Sequence, residues 1–254
     1  MIFPSLVTAN CLDYLHRNKK ENGIYQIKPD NDLSFKVLCD QTAAGGGWTI
    51  LGKRFDGSIS FEMKDWKSYK FGFGSVDGEF WLGNENIHRM TSVRNEQLHL
   101  SGSDRDTSFA ITYQNFQLES EERNYAMLYE NPSPNDFNRF EVEKEFVTKN
   151  KDSINDCAKN YGPYWNTGQD CLQSNLFGVW NLKDDSGAQW YGENKTLVSL
   201  EMRIRPNQGK RMEYSICFSV HSYIAIKRQF ILILVCLILS KNIQLTQSFL
   251  PIHI

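Results

Sequence analysis

Apolar and polar residues alternate along short segments of the chain, mostly in its first half, which is the period of a strand with one buried face. Turn-forming runs such as PDNDL and SGSDRD separate these segments. The predicted strands are 23–29, 35–40, 48–51, 79–83, a hairpin over 97–119, 125–129 and 199–206. In the last of them Leu200, Met202 and Ile204 share one face, so this strand is predicted to cover the core.

Two short helices are predicted among the strands. The first covers residues 11–22 and is ended by Gly23. The second follows Asn84, a suitable N-cap, and places Ile87 and Met90 on one face. Because strands and helices do not alternate as βαβ units, the pattern predicts an α+β fold with a twisted antiparallel sheet.

Regular patterning weakens from Glu130 to Gln189, where Asn, Asp, Gly and Trp are frequent. Compact domains seldom keep such long irregular segments unless the loops have a function. We therefore expect the functional surface in this region.

Composition limits the classes of function. The 254 residues carry a net charge of −2 and 41% of them are hydrophobic. Most of the chain is thus expected to fold, and a strongly basic nucleic-acid binder is excluded. After Asn207 the chain has five Lys or Arg against one Glu, so the first 207 residues carry −6. This shift predicts a domain boundary near Pro206.

Six cysteines are present, at positions 11, 39, 157, 171, 217 and 236. None forms a C-x-x-C pair and no histidine stands at ligand spacing from them, which argues against zinc. Cys11 with Cys39, and Cys157 with Cys171, form two local pairs that favour disulfides and an oxidising compartment. Buried free thiols are the alternative.

Residues 1–10 contain no basic n-region and no long apolar run, so no secretory signal is encoded there. If the disulfide interpretation holds, residues 1–9 are expected to be an N-terminal stub whose leader is missing. Catalytic motifs such as G-x-S-x-G and H-E-x-x-H are not found either, and the five histidines are scattered. The sequence therefore predicts a protein that is not an enzyme.

Five longer motifs carry a family resemblance. In chain order they are GGGWTILGKRFDGSISF, YKFGFGSVDGEFWLGNENIH, CAKNYGPYW, CLQSNLFGVW and SLEMRIRP. They resemble the fibrinogen C-terminal domain family over residues 10–207. The resemblance implies an extracellular binding globe with disulfides Cys11–Cys39 and Cys157–Cys171. Family members usually carry collagenous or coiled-coil segments that oligomerise them; this chain contains none, as expected of a fragment or a stand-alone module.

The resemblance also implies a calcium loop before the third cysteine. In TKNKDSINDC, Asn150 and Asp152 occupy the two acidic positions, and Ser153 to Asn155 would supply backbone carbonyls. Asparagine replaces the first acid, the loop is one residue short, and two lysines flank it, all of which lower calcium affinity. Calcium binding is therefore expected to be weak or lost, with a solvated turn as the alternative.

A ligand pocket is implied beside the third and fourth cysteines. Family members often have a histidine after the fourth cysteine, but Leu172 stands here. An apolar wall with aromatic platforms for acetyl groups or sugar faces is then expected, while simple packing of the aromatic residues into the loop is the alternative. Asp185 aligns with an acidic residue that can bind a ligand amine. The predicted pocket residues are Asn160, Tyr161, Tyr164, Trp165, Leu172 and Asp185.

Residues 208–254 depart from the family pattern. They contain ten uninterrupted apolar residues at 230–239, whereas a spanning helix needs about 20. Three interpretations of this tail remain open. It is a short membrane anchor flanked by Lys227 and Arg228, a segment that lies on a membrane surface, or an extension unrelated to the domain.

Two functional hypotheses follow from the resemblance. The first is a secreted ficolin-like lectin, of the innate-immune kind, that binds glycans or acetylated groups through the loops around the second disulfide. The second is an adhesion or signalling ligand for a protein receptor, which Leu172 favours. Membrane attachment would require the tail to be a genuine anchor. Asn194 begins the sequon Asn-Lys-Thr and is expected to be glycosylated in a secreted protein.

Overall fold

The structure is a computed structural model that describes residues 7–130, 144–151, 156–165, 171, 174–183, 186–190 and 196–207. The strands are β1 (Gly23–Ile27), β2 (Phe35–Asp40), β3 (Trp48–Arg54), β4 (Phe73–Gly74), β5 (Phe80–Trp81), β6 (Glu96–Ser103), β7 (Ser108–Leu118), β8 (Met127–Glu130), β9 (Ser174–Asn175), β10 (Gln189–Trp190) and β11 (Ser199–Pro206). The α-helices are α1 (Cys11–His16), α2 (Trp66–Phe71), α3 (Asn84–Thr91) and α4 (Cys157–Tyr161).

Within the described residues, nine strands form one sheet in the order β1-β2-β3-β11-β6-β7-β8, with β5 paired to β3 and β4 paired to β5. Every pairing between these strands is antiparallel. The strands β9 and β10 form a separate antiparallel pair. The predicted α+β class and antiparallel sheet are confirmed.

The central strands bury alternate side chains, as their sequence pattern predicts. On β11, Leu200, Met202 and Ile204 are all buried, and on β6 Leu98 and Leu100 lie in the same core. A register shift between Met202 and Arg203 interrupts the pairing of β11 with β3. These alternating residues of β6 and β11 are part of the hydrophobic core.

The N-terminal segment is joined to the edge of the sheet. Asn10 caps α1, since its Oδ1 accepts a hydrogen bond from the N–H of Asp13 at 2.9 Å. The disulfide Cys11–Cys39 connects this helix to β2, and this pairing was predicted. The helix is shorter than the predicted 11–22 because Asn18 adopts a φ of 63°, which an α-helix cannot continue.

The glycine run before β3 is required by packing. Gly47 has a φ of 76°, and a Cβ added to it would lie 2.6 Å from the side chain of Leu12 on α1. A glycine is therefore needed where the chain passes the helix to enter β3.

Helix α2 was not predicted from the sequence. Asp65 caps it by accepting a hydrogen bond from the N–H of Ser68 at 2.8 Å, and Tyr69 is its one buried residue. A helix of six residues with one buried position has no repeat of apolar residues from which a helical period could be recognised in the sequence. Helix α3 lies where it was predicted, but its N-cap is Gly83 rather than Asn84. The Oδ1 of Asn84 accepts instead from the Nε1 of Trp81 at 3.0 Å.

Candidate functional site

The second disulfide joins two segments of the long-loop region. Cys157, at the start of α4, is bonded to Cys171, as predicted. Nearby, Val147 and Tyr164 exchange two backbone hydrogen bonds of 2.9 and 3.1 Å. We call residues 144–151, 156–165, 171 and 174–183 the loop face.

A cluster of aromatic rings lies beneath the loop face. The ring centroids of Phe146 and Trp165 are 4.8 Å apart, and those of Trp81 and Phe177 are 5.1 Å apart. The Nε1 of Trp165 donates to the backbone oxygen of Tyr125 at 2.9 Å. Since three of these rings belong to the loop face itself, the loop backbone is fixed by core packing rather than by regular structure.

The predicted pocket residues occupy different environments. Tyr164 and Trp165 are only 2% and 5% exposed, so both pack into the core and do not form open platforms. Burial also raises the pKa of the Tyr164 hydroxyl well above its ordinary value, which keeps it neutral. Tyr161 is half-buried and Asn160 is exposed. The described part of the pocket thus presents one aromatic side chain, and the pocket as a whole stays a prediction.

A buried arginine connects the sheet to the loop face. Arg54 is 1% exposed, and its guanidinium carbon lies 4.4 Å from the ring centroid of Phe61 and 4.9 Å from that of Trp180. Its Nη1 donates to the carbonyls of Leu176 and Gly178 at 2.7 and 2.9 Å. Burial lowers the pKa of Arg54 from its ordinary value. This role was not predicted from the sequence, where Arg54 lies three residues beyond the predicted strand 48–51; in the structure it is the last residue of β3.

A buried carboxylate orders the turn that packs against Trp180. Glu79 is 1% exposed, and its Oε1 accepts from the N–H groups of Phe55, Asp56 and Gly57 at 2.6, 3.0 and 2.9 Å. Its Oε2 accepts from the N–H of Ile59 at 3.0 Å. Four backbone donors on one carboxylate fix the turn after β3, and Arg54 stands at the start of that turn.

The start of the predicted calcium loop is a tight turn packed on α2. Thr148 and Lys151 exchange backbone hydrogen bonds of 3.1 and 2.9 Å. The Oδ1 of Asn150 accepts from the N–H of Trp66 at 3.0 Å and from the hydroxyl of Thr148 at 2.8 Å. An amide oxygen has two lone pairs, so the side-chain oxygen of Asn150 is already fully used and does not fit the role of a calcium ligand.

The indole of Trp66 lies between charged groups. The Nζ of Lys151 is 3.6 Å from its ring centroid, and its Nε1 donates to Glu121 Oε1 at 2.8 Å. The other carboxylate oxygen of Glu121 pairs with the Nζ of Lys70 at 2.5 Å. The hydrogen bonds from Lys70 and Trp66 lower the pKa of Glu121, helped by the charges of Lys70 and Lys151.

Several predicted residues lie outside the described ranges. They are Asp152, Ser153 and Asn155 of the calcium loop, Leu172 and Asp185 of the pocket, the sequon residue Asn194, and the tail 208–254 with its apolar segment 230–239. Among the described residues, no group of three or more His, Cys, Asp or Glu side chains is arranged to hold a metal ion. Over the same ranges, none of the helices has the length and apolar character needed to cross a membrane.

The sheet, the two disulfides and a loop face supported by aromatic packing define a disulfide-stabilised recognition domain. The family described as "Fibrinogen beta and gamma chains, C-terminal globular domain" matches residues 7–207. The chain therefore belongs to the fibrinogen C-terminal domain family, whose members are recognition proteins rather than enzymes.

Curated relatives include two different kinds of protein. Human angiopoietin-related protein 7 is 37% identical over 223 residues, which is 79% of this chain and 62% of that protein. Techylectin-5A of Tachypleus tridentatus is 34% identical over 78% of this chain and 74% of its own length. The match thus spans a little under two thirds of the angiopoietin-related protein. Both relatives are secreted extracellular proteins.

Solved structures share the fold. The fibrinogen-like globe domain of human ANGPTL2 has a TM-score of 0.72 at 32% identity, over 79% of this chain and 99% of that domain. Lamprey fibrin D-dimer, complexed with the peptide ligand Gly-His-Arg-Pro-amide, has a TM-score of 0.70 at 27% identity, over 81% of this chain and 76% of that one. The fold is a fibrinogen-like globe.

Proposed function

We propose that this chain is an extracellular recognition module that binds a protein or peptide ligand through its loop face. The observation that carries the proposal is which apolar groups are exposed on the loop face and at its border. Tyr164 and Trp165, the aromatic platforms that a lectin pocket would need, are buried. Met63, a flexible apolar side chain at the border of the face, is 68% exposed.

The position of Met63 follows from its neighbours. A Cβ added to Gly162, at the end of α4, would lie 3.3 Å from the Cβ of Glu62, so this segment packs beside the loop face. The Nζ of Lys149 lies 3.9 Å from the sulfur of Met63. An exposed, polarizable methionine with a lysine beside it suits a protein surface that offers an apolar group and an acidic one.

One of the comparisons supports this proposal. One structural relative, lamprey fibrin D-dimer, is complexed with a short peptide ligand. The second candidate is a lectin that binds glycans or acetylated groups. It is favoured by the identity to techylectin-5A and by the exposed Asn160 next to the half-buried Tyr161.

Two binding assays separate the candidates. A glycan array, read with and without calcium, is expected to show no saturable signal, whereas binding to cells is expected to persist after enzymatic deglycosylation. A glycan signal on the array together with loss of cell binding on deglycosylation would establish the lectin instead.

A pair of variants then tests the surface. Met63→Glu is expected to weaken cell binding by about tenfold or more, because it puts a charge at an apolar contact. Leu33→Glu is the matched control, since Leu33 is 80% exposed but lies between β1 and β2, outside the loop face. Equal effects of the two substitutions would count against the loop face as the binding surface.

A further inference from the structure

Three groups converge where the family resemblance places calcium. They are the amide of Asn150, the ammonium of Lys151 and the indole of Trp66. We infer that the Lys151 ammonium, seated on the Trp66 ring, holds the 148–151 turn on α2 in the role of a metal ion, and that the loop face is stable without calcium. The inference does not depend on which ligand the loop face binds.

The first step concerns the oxygen that calcium would need. Both lone pairs of Asn150 Oδ1 are taken, one by the N–H of Trp66 at 3.0 Å and one by the hydroxyl of Thr148 at 2.8 Å. Thr148 itself is buried. Turning Asn150 toward a metal would break its hydrogen bond to the N–H of Trp66 and leave the hydroxyl of the buried Thr148 without this acceptor, and the loss at a buried hydroxyl is costly.

The second step concerns the cation. The Nζ of Lys151 lies 3.6 Å from the centroid of the Trp66 ring, a short distance for a cation on an aromatic face. The Nε1 of the same indole donates to the Glu121 carboxylate at 2.8 Å. A hydrogen bond to an anion pushes electron density into the ring, so it strengthens the attraction for the ammonium on its face.

The third step is the effect on a divalent ion. Lys149 and Lys151 both carry positive charge beside Asn150, and Glu121 is already paired with Lys70 and bonded to Trp66. A calcium ion in this turn would therefore meet two like charges, and the Glu121 carboxylate is not free to bind it. Calcium binding depends on the charge of its oxygen ligands, and the described residues of this turn, 148–151, contribute two positive charges and no negative one.

The test compares two lysines of the same turn in the full chain. Lys151→Gln is expected to lower the melting temperature by about 2–4 °C, as loss of a cation–π contact would in a domain of this size. Lys149→Gln makes the same charge change without touching the ring, and is expected to leave the melting temperature within about 1 °C of wild type. Wild type is expected to melt at one temperature in excess EGTA and in millimolar calcium chloride.

Two further variants report on the contact itself. Lys151→Arg keeps a cation on the ring and is expected to retain most of the stability. Lys151→Gln is also expected to change tryptophan fluorescence, and this change should vanish in a Trp66→Phe background. A calcium-dependent rise in the melting temperature of wild type, or equal losses in Lys151→Gln and Lys149→Gln, would overturn the inference.

Discussion

The buried carboxyl of Glu96 is expected to make the folded protein less stable as the pH rises from acid to mildly alkaline. The residue opens β6 and is 2% exposed. Its Oε2 has no hydrogen-bond partner among the described residues. The pKa of this carboxyl is raised from 4.5 to about 8: burial is the largest cause, the charge of Arg94 opposes the rise, and that of Asp13 adds to it.

Proton linkage gives the direction and the size of the change in the free energy of unfolding. Because the folded protein holds this proton more tightly than the unfolded chain does, the stabilisation is complete below pH 4.5 and is lost as the pH rises to about 8. One pKa unit corresponds to about 1.4 kcal/mol. The free energy of unfolding should therefore fall by about 4 kcal/mol across this range on account of Glu96 alone.

Glu96→Gln keeps the shape and removes the ionisation. We expect the variant to lie within about 1 kcal/mol of wild type at pH 5 and to exceed it by about 2–4 kcal/mol at pH 8, measured by urea unfolding at half-unit pH steps. Glu122→Gln, on an exposed glutamate, is the control and should leave the pH dependence unchanged. Parallel pH profiles for wild type and Glu96→Gln would refute the reasoning.

Two further predictions concern the loop face, and a third concerns the sequon at Asn194. Arg54→Met should lower the free energy of unfolding by about 3 kcal/mol or more, measured by urea unfolding, because it leaves the carbonyls of Leu176 and Gly178 without their donor. Lys53→Met, at the half-buried neighbouring position, is the control and should lower it much less. Replacing Cys157 and Cys171 together by serine should cost about 3 kcal/mol, the value typical of a closed loop of this length, and a loss below about 0.5 kcal/mol would contradict this. Treatment of the protein secreted from eukaryotic cells with a glycan-removing enzyme should reduce its mass at Asn194, and Asn194→Gln should abolish that reduction.

The sequence predicts the sheet well because the sheet depends on local patterning. Burial on β6 and β11 follows the alternation seen in the sequence, and Leu98 and Leu200 are in the core as expected. Both disulfides were predicted from cysteines that lie near each other in the chain. Positive φ angles and caps set the ends of the elements, and these ends were predicted less well: α1 ends before Asn18, and the N-cap of α3 is Gly83 rather than Asn84.

The loop face was beyond the reach of sequence patterns because its key contacts join distant parts of the chain. Arg54 and the carbonyl of Leu176 are 122 residues apart, and Asn150 and the N–H of Trp66 are 84 apart. Nothing in the local sequence marks Trp66 as a partner of Lys151, or Arg54 as a buried residue. The family motifs identified this region of the chain, but its side-chain contacts could be seen only in the structure.

Different residues of the loop face are expected to determine its stability and its ligand specificity. Arg54 and the Cys157–Cys171 bridge fix the backbone of the loop face from beneath. Exposed side chains on or beside that face, such as Met63 and Asn160, take little part in holding it. Substitutions there should therefore change binding while leaving stability almost intact. Met63→Glu is expected to melt within about 2 °C of wild type while it loses binding. A drop in melting temperature parallel to the loss of binding would show that Met63 supports the fold rather than contacts the ligand.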